Sequence, residues 1–204
     1  MYNFIRAIIS IIITCGIASF ARKSSLGKKK WINGICILLG VLLYIIFGFI
    51  PLENIVSPFN SPIKVFEYRN PGAKPQLIIE GRDSDYIIGS EGDDFTTVTM
   101  IVPKTDDGWK MGTGTELKTI YRGFDKNVIF NLYQYKNTND FYMMIYDLDG
   151  VEIEIKDACN STFYELQEGS AETLSSLTYY AFIPNYDENY WISVNGEQIE
   201  LKQQ

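Results

Sequence analysis

The chain has 204 residues, 18 of them basic and 25 acidic, for a formal charge of −7, and it contains no histidine. Without imidazole it can build neither a Ser-His-Asp nor a Cys-His nucleophile, nor any imidazole metal site. The charge is also unevenly placed. All 25 acids follow Leu52, while Arg6, Arg22, Lys23, Lys28, Lys29 and Lys30 make the first 52 residues +6 and leave the rest at −13.

The basic part is also the apolar part. Between Arg6 and Arg22 lie 15 uncharged residues, about 22 Å as a helix, and residues 2–21 reach about 30 Å if Arg6 snorkels to an interface. The rival reading is a cleaved secretory leader, with Ser19 and Ala21 as the small pair before the cut. Residues 31–52 form a second uncharged run, long enough for a membrane span. The loop 22–30 between them carries five positive charges and no acid, which by the positive-inside rule holds it in the cytoplasm. The expectation is therefore a transmembrane α-helical hairpin over 1–52, contacting the lipid bilayer through residues 2–21 and 31–52. Both termini, and everything after it, then lie outside the cytoplasm at the cell membrane. Ser10, Thr14 and Ala18 are small enough to pack against Gly34, Gly40 or Gly48.

Residues 53–62 hold two prolines and read as a stalk. From there to 204, period-2 alternation dominates. The strongest hairpin signal is Trp191–Val194, the turn Asn195-Gly196 and Glu197–Leu201, because both turn residues must take positive φ. A second hairpin is expected from Phe141–Tyr146 through Asp147–Gly150 to Val151–Ile155. Further strands are expected at Ile63–Tyr68, Gln76–Glu80, Tyr86–Ile88, Phe95–Val102, Leu117–Arg122, Val128–Tyr135 and Leu177–Ile183, with a short helix at Ala171–Ser176. Strands at this spacing, roughly 8–12 residues, argue an all-β antiparallel sandwich or open barrel. Gly112-Thr-Gly114 is a candidate division into two subdomains; one continuous sandwich fits equally well.

Several residues carry candidate chemistry, each against a plainer reading. Asp147, Asp149 and Glu152 have the alternate-oxygen spacing of a cation loop, but lack the further ligands of a 12-residue calcium loop, and Asp and Gly are what tight turns require. Cys15 and Cys36 fall in the apolar runs and Cys159 stands alone, so no disulfide forms within 63–204. Asp157 beside Cys159 opposes thiolate formation, which makes it a structural or incidental thiol. Asn160-Ser161-Thr162 matches a glycosylation acceptor, yet 28 Ile against 7 Ala points to an AT-rich bacterial genome, where the match carries no meaning. A carboxylate pair for glycoside hydrolysis is conceivable among so many acids, but the number of acids alone makes some pair inevitable.

Aromatics are the remaining signal. Twelve of the 14 tyrosines follow Leu52, and Tyr179, Tyr180, Tyr186, Tyr190 and Trp191 form the candidate binding surface for a carbohydrate or peptide. The resulting expectation is a membrane-anchored protein presenting a non-catalytic β domain at a bacterial cell envelope, with a protein or polysaccharide partner. No cofactor is expected, and an acidic domain of −13 is repelled by nucleic acid. The alternatives are an accessory subunit of a larger membrane complex, or a carboxylate-dependent cell-wall hydrolase.

Overall fold

The computed structural model describes residues 2–23, 31–49, 54, 58–92, 96–125, 127–168, 176–187 and 189–201. The chain divides into two units, Met1–Pro58 and Phe59–Gln204.

In the first unit two helices pack together, α1 (Tyr2–Lys23) and α2 (Trp31–Phe49). Thr14 lies where a side chain on Gly40 would go: a Cβ there would come within 2.9 Å of its hydroxyl oxygen. The Thr14 hydroxyl is already turned back onto its own helix, donating to the Ser10 carbonyl at 2.7 Å, as Ser10 does to Arg6 at 2.9 Å. The expected pair of membrane spans is not supported, because among the described residues no helix is long and apolar enough to cross a membrane. α2 ends at Phe49 after 19 residues, about 28 Å against a hydrocarbon core of about 30 Å, and Arg6 interrupts the apolar run of α1. The cell-membrane placement, with the termini and the β domain outside the cytoplasm, rested on those spans and is withdrawn with them.

The second unit begins with a helix where a strand was expected. Residues 63–68 are helical, within α3 (Pro62–Arg69), and not a strand. Ser61 takes an extended backbone and its hydroxyl accepts from the Lys64 N–H at 3.2 Å, while Pro62 occupies the first turn, where it forfeits no hydrogen bond. These start signals override the short β-like alternation Ile63-Lys64-Val65. α3 buries Val65 and Phe66 completely.

Among the described residues twelve strands follow, in three antiparallel sheets. The first, in order β1-β2-β3-β4, comprises Lys74–Glu80, Ser84–Glu91, Thr96–Thr105 and Gly108–Trp109. The second contains β5 (Leu117–Asp125), β6 (Val128–Tyr135), β7 (Phe141–Asp147), β9 (Tyr164–Glu168) and β10 (Ser176–Ile183), in the order β5-β6-β7-β10-β9. The third, in order β12-β11-β8, is built from Glu197–Glu200, Trp191–Val194 and Ile155–Asp157.

The second sheet is the middle layer, because alternate residues of its strands enter two different cores. Phe130, Leu132, Met143, Ile145, Tyr179 and Ala181 pack with Ile153, Tyr190, Ile192 and Leu201. From the other face Tyr135, Tyr142 and Tyr180 pack with Ile79, Tyr86, Ile88 and Ile101 of the first sheet. Phe66 of α3 fills the space beside Gly89, where a Cβ would meet its ring at 2.6 Å. A strand buried on both faces reads as a continuous apolar run, and β6, β7 and β10 read that way.

The Asn195-Gly196 turn closes the β11–β12 hairpin in the expected register, with φ of 51° and 82°. The other expected hairpin does not form. β7 pairs with β6 and β10, whereas Val151–Glu154 are not in a strand and Ile155 pairs with Val194 in the third sheet. The short helix expected at 171–176 lies outside the described residues apart from Ser176, which opens β10.

Candidate functional site

Where the middle sheet and the third sheet part at one end, a cleft of about 380 Å³ opens. The buried part of its apolar lining forms the floor, Val128 and Phe130 from β6 and Ile153 from the β7–β8 segment, with Val194 and Ile199 of the β11–β12 hairpin half-buried beside it and Val151 exposed at the rim. Its acids come from three strand ends and a turn: Asp125 closing β5, Asp147 closing β7, Asp149 beyond it, and Glu197 opening β12.

Local backbone chemistry fixes this mouth. The Asp147 carboxylate is buried and accepts from the Asp149 N–H at 3.3 Å and the Val151 N–H at 2.8 Å, folding the chain back under itself. Asn127, at φ 62°, accepts from the Leu148 N–H through its carbonyl at 2.9 Å and donates its amide to Asp149 at 3.1 Å. Asn195 binds Glu154 in both directions: its side-chain oxygen accepts from the Glu154 N–H at 2.9 Å, and its own N–H donates to the Glu154 carbonyl at 2.8 Å. The Tyr179 hydroxyl accepts from the Ile153 N–H at 3.2 Å behind the floor. Burial, with Glu165, Glu152 and Asp147 adding negative charge, pushes that phenol up from its ordinary value.

Of the expected cation ligands, Asp147 and Asp149 thus meet at this cleft, while Glu152 is exposed and outside its lining. Among the described residues no group of three or more Cys, Asp or Glu is placed to hold a metal ion. The two aspartates are engaged by backbone and amide N–H donors, which is the work of a turn.

The aromatic candidates fall elsewhere. Tyr179, Tyr180 and Tyr190 are core residues, exposed by 5%, 1% and 3%. Tyr186 and Trp191 are half-buried, and Tyr186 lies between Phe141 and Tyr190, with ring centroids 5.1 and 5.3 Å away. The Tyr190 hydroxyl donates to Asp157 at 2.8 Å. Its burial and that carboxylate hold the phenol far above its usual range. Cys159 donates to the Asn185 carbonyl at 3.1 Å, and burial with nearby Asp157 and Asp187 raises its thiol, so the nucleophilic form is disfavoured.

Sequence reasoning missed one polar centre. Asp140 is fully buried. It accepts from the N–H groups of Arg82, Asp83 and Ser84 at 3.0, 2.8 and 2.9 Å, and from the Ser84 hydroxyl at 2.9 Å. It thereby clamps the β1–β2 turn onto the start of β7, and the Tyr142 hydroxyl joins by donating to the Ser84 carbonyl at 2.9 Å. Nothing in Asn139-Asp140 distinguishes it from an ordinary turn acid.

Compared with protein families, curated proteins and solved structures, the chain matches none.

Proposed function

We propose that the β unit is a non-catalytic binding module whose cleft receives a cationic group on an apolar stem, as a Lys or Arg side chain of a partner protein presents it. The observation that carries this reading is the juxtaposition of Asp125, Asp149 and Glu197 with a floor of Val, Ile and Phe in one cleft. Ligand sites combine apolar lining with a few placed polar groups, and an acidic mouth on a unit of −12 (12 basic against 24 acidic residues) attracts cations. Binding rather than catalysis is supported by the absence of histidine and by Asp147, whose carboxylate is occupied in holding its own turn.

The test is fluorescence anisotropy of a labelled peptide alternating Lys and Leu, against a Glu–Leu counterpart. The Lys peptide should bind, weaken as salt rises, and weaken several-fold with Asp125→Asn/Asp149→Asn, each exposed charge contributing about 0.2–1 kcal/mol. Equal binding of both peptides, or none, refutes the reading.

A second reading, an accessory subunit of a larger assembly, is favoured by the apolar side chains that α1 and α2 leave exposed, among them Ile11, Ile12, Leu38 and Val41. Large exposed apolar side chains in such number mark interaction sites where they form a patch. A stoichiometric protein that stays bound through purification, and is lost when Ile12 and Leu38 become Ser, would support it.

A further inference from the structure

At the β8–β9 loop the molecule has a second hollow, of about 400 Å³, unrelated to the acidic cleft. Its walls are Glu80 from β1, Asn160 and Thr162 from the loop, Tyr164 at the start of β9, and Phe182 with Pro184 at the end of β10. A smaller hollow of about 210 Å³ adjoins across Pro184. We propose that this hollow binds a neutral hexopyranose unit of a polysaccharide, with the Tyr164 ring against the sugar's C–H face and Glu80, Asn160 and Thr162 bonding its hydroxyls.

Tyr164 is the first argument. It stands opposite Tyr180 in the β9–β10 register, yet Tyr180 is buried while Tyr164 remains 46% exposed. An aromatic ring left open on a concave surface supplies the flat apolar face that a pyranose C–H surface fits.

The loop that carries the Asn160 and Thr162 side chains beside it is held in advance. The buried Asp157 carboxylate accepts from the Ser161 N–H at 2.7 Å and its hydroxyl at 2.6 Å, and its carbonyl accepts from the Asn160 N–H at 3.3 Å. The Cys159 thiol ties the same loop to Asn185. These contacts fix the loop and leave the Asn160 and Thr162 side chains exposed. An amide, a hydroxyl and a carboxylate together both donate and accept, as sugar hydroxyls require. Such preorganisation reduces the ordering cost of binding. The charge selects within the class: a unit of −12 repels uronate or phosphate polymers, so the sugar is uncharged. The volume lies within the roughly 300–1,000 Å³ of small-ligand pockets.

The test is isothermal titration of the full chain with maltohexaose, cellohexaose, laminarihexaose and chitohexaose. At least one should bind. Tyr164→Ser should weaken it about tenfold, the equivalent of about 1.4 kcal/mol, whereas Tyr164→Phe should bind nearly as the parent does, because the ring makes the contact. Asn160→Gly removes the amide while suiting the φ of 51° at that position and should weaken binding several-fold. Thermal unfolding of each variant checks that the fold survives. The proposal fails if no oligosaccharide binds at millimolar concentration. It also fails if Tyr164→Ser or Asn160→Gly, folded, binds as tightly as the parent. Neither result bears on the Lys–Leu peptide at the other cleft.

Discussion

Two carboxylates show how differently single acids act in this chain. Asp140 is buried and takes four hydrogen bonds, so Asp140→Ala strands the buried N–H and hydroxyl of Ser84 as well as removing the bonds from the part-buried Arg82 and Asp83 N–H groups. A loss of about 2–4 kcal/mol is expected in urea unfolding at neutral pH. Gly81 is bound to the same cluster. A Cβ there would fall 2.3 Å from the Tyr142 hydroxyl and 2.7 Å from the Ser84 carbonyl, so Gly81→Ala should disturb the clamp almost as severely. Glu116 is a different case. Burial raises its carboxyl, but the N–H groups of Thr113 and Gly114 and the Thr113 hydroxyl outweigh it, leaving the value below the ordinary 4.5. A folded value beneath the unfolded one means stability fully present above pH 4.5 and lost as pH falls through the lowered value. Glu116→Gln should therefore flatten the acid limb of a stability–pH curve measured by urea unfolding. An unchanged limb would show that these hydrogen bonds do not distinguish the charged form.

At the scale of elements, what was legible in the sequence is what local chemistry decides. The β11–β12 turn is one such case: Gly196 sits at φ 82°, and Gly196→Ala should cost about 1 kcal/mol, read as a lower urea midpoint with unchanged slope. The Val128–Tyr135 strand was readable for the same reason, as a run bounded by turn residues. The Val151–Ile155 segment was not. Its alternation tells which side chains are wet, while its partner strand is fixed by a hairpin some 40 residues away, through Asn195 and Glu154. The α3 segment resembles a strand only in its β-branched Ile63 and Val65, and the Ser61–Pro62 start signal decides for the helix. The candidate cleft was half legible: Asp147 and Asp149 stood out as a turn, but their neighbours on the floor come from strands that only the tertiary fold assembles.

The whole molecule explains why the tyrosines misled. Aromatic type alone does not say which face of a strand is covered, and here the middle sheet is covered on both. Phe141–Tyr146, Val128–Leu132 and Leu177–Ile183 are nearly continuous apolar runs, the signature that could have placed Tyr179 and Tyr180 inside. The same arrangement predicts cooperativity. β6, β7 and β10 contribute to both cores, so neither outer sheet can leave without exposing residues that support the other. Trp109 reports on the first sheet, where its indole donates to Asp85 at 2.6 Å, and Trp191 reports on the third. With the other two tryptophans replaced by Phe, each single-Trp chain should unfold in urea at the midpoint given by its own far-UV circular dichroism. Adding Phe130→Ala, which empties one core only, should lower both fluorescence midpoints together, by about 3–5 kcal/mol of stability. If Trp109 kept its midpoint while that of Trp191 fell, the two cores would be separable, and the middle sheet would be a boundary between them.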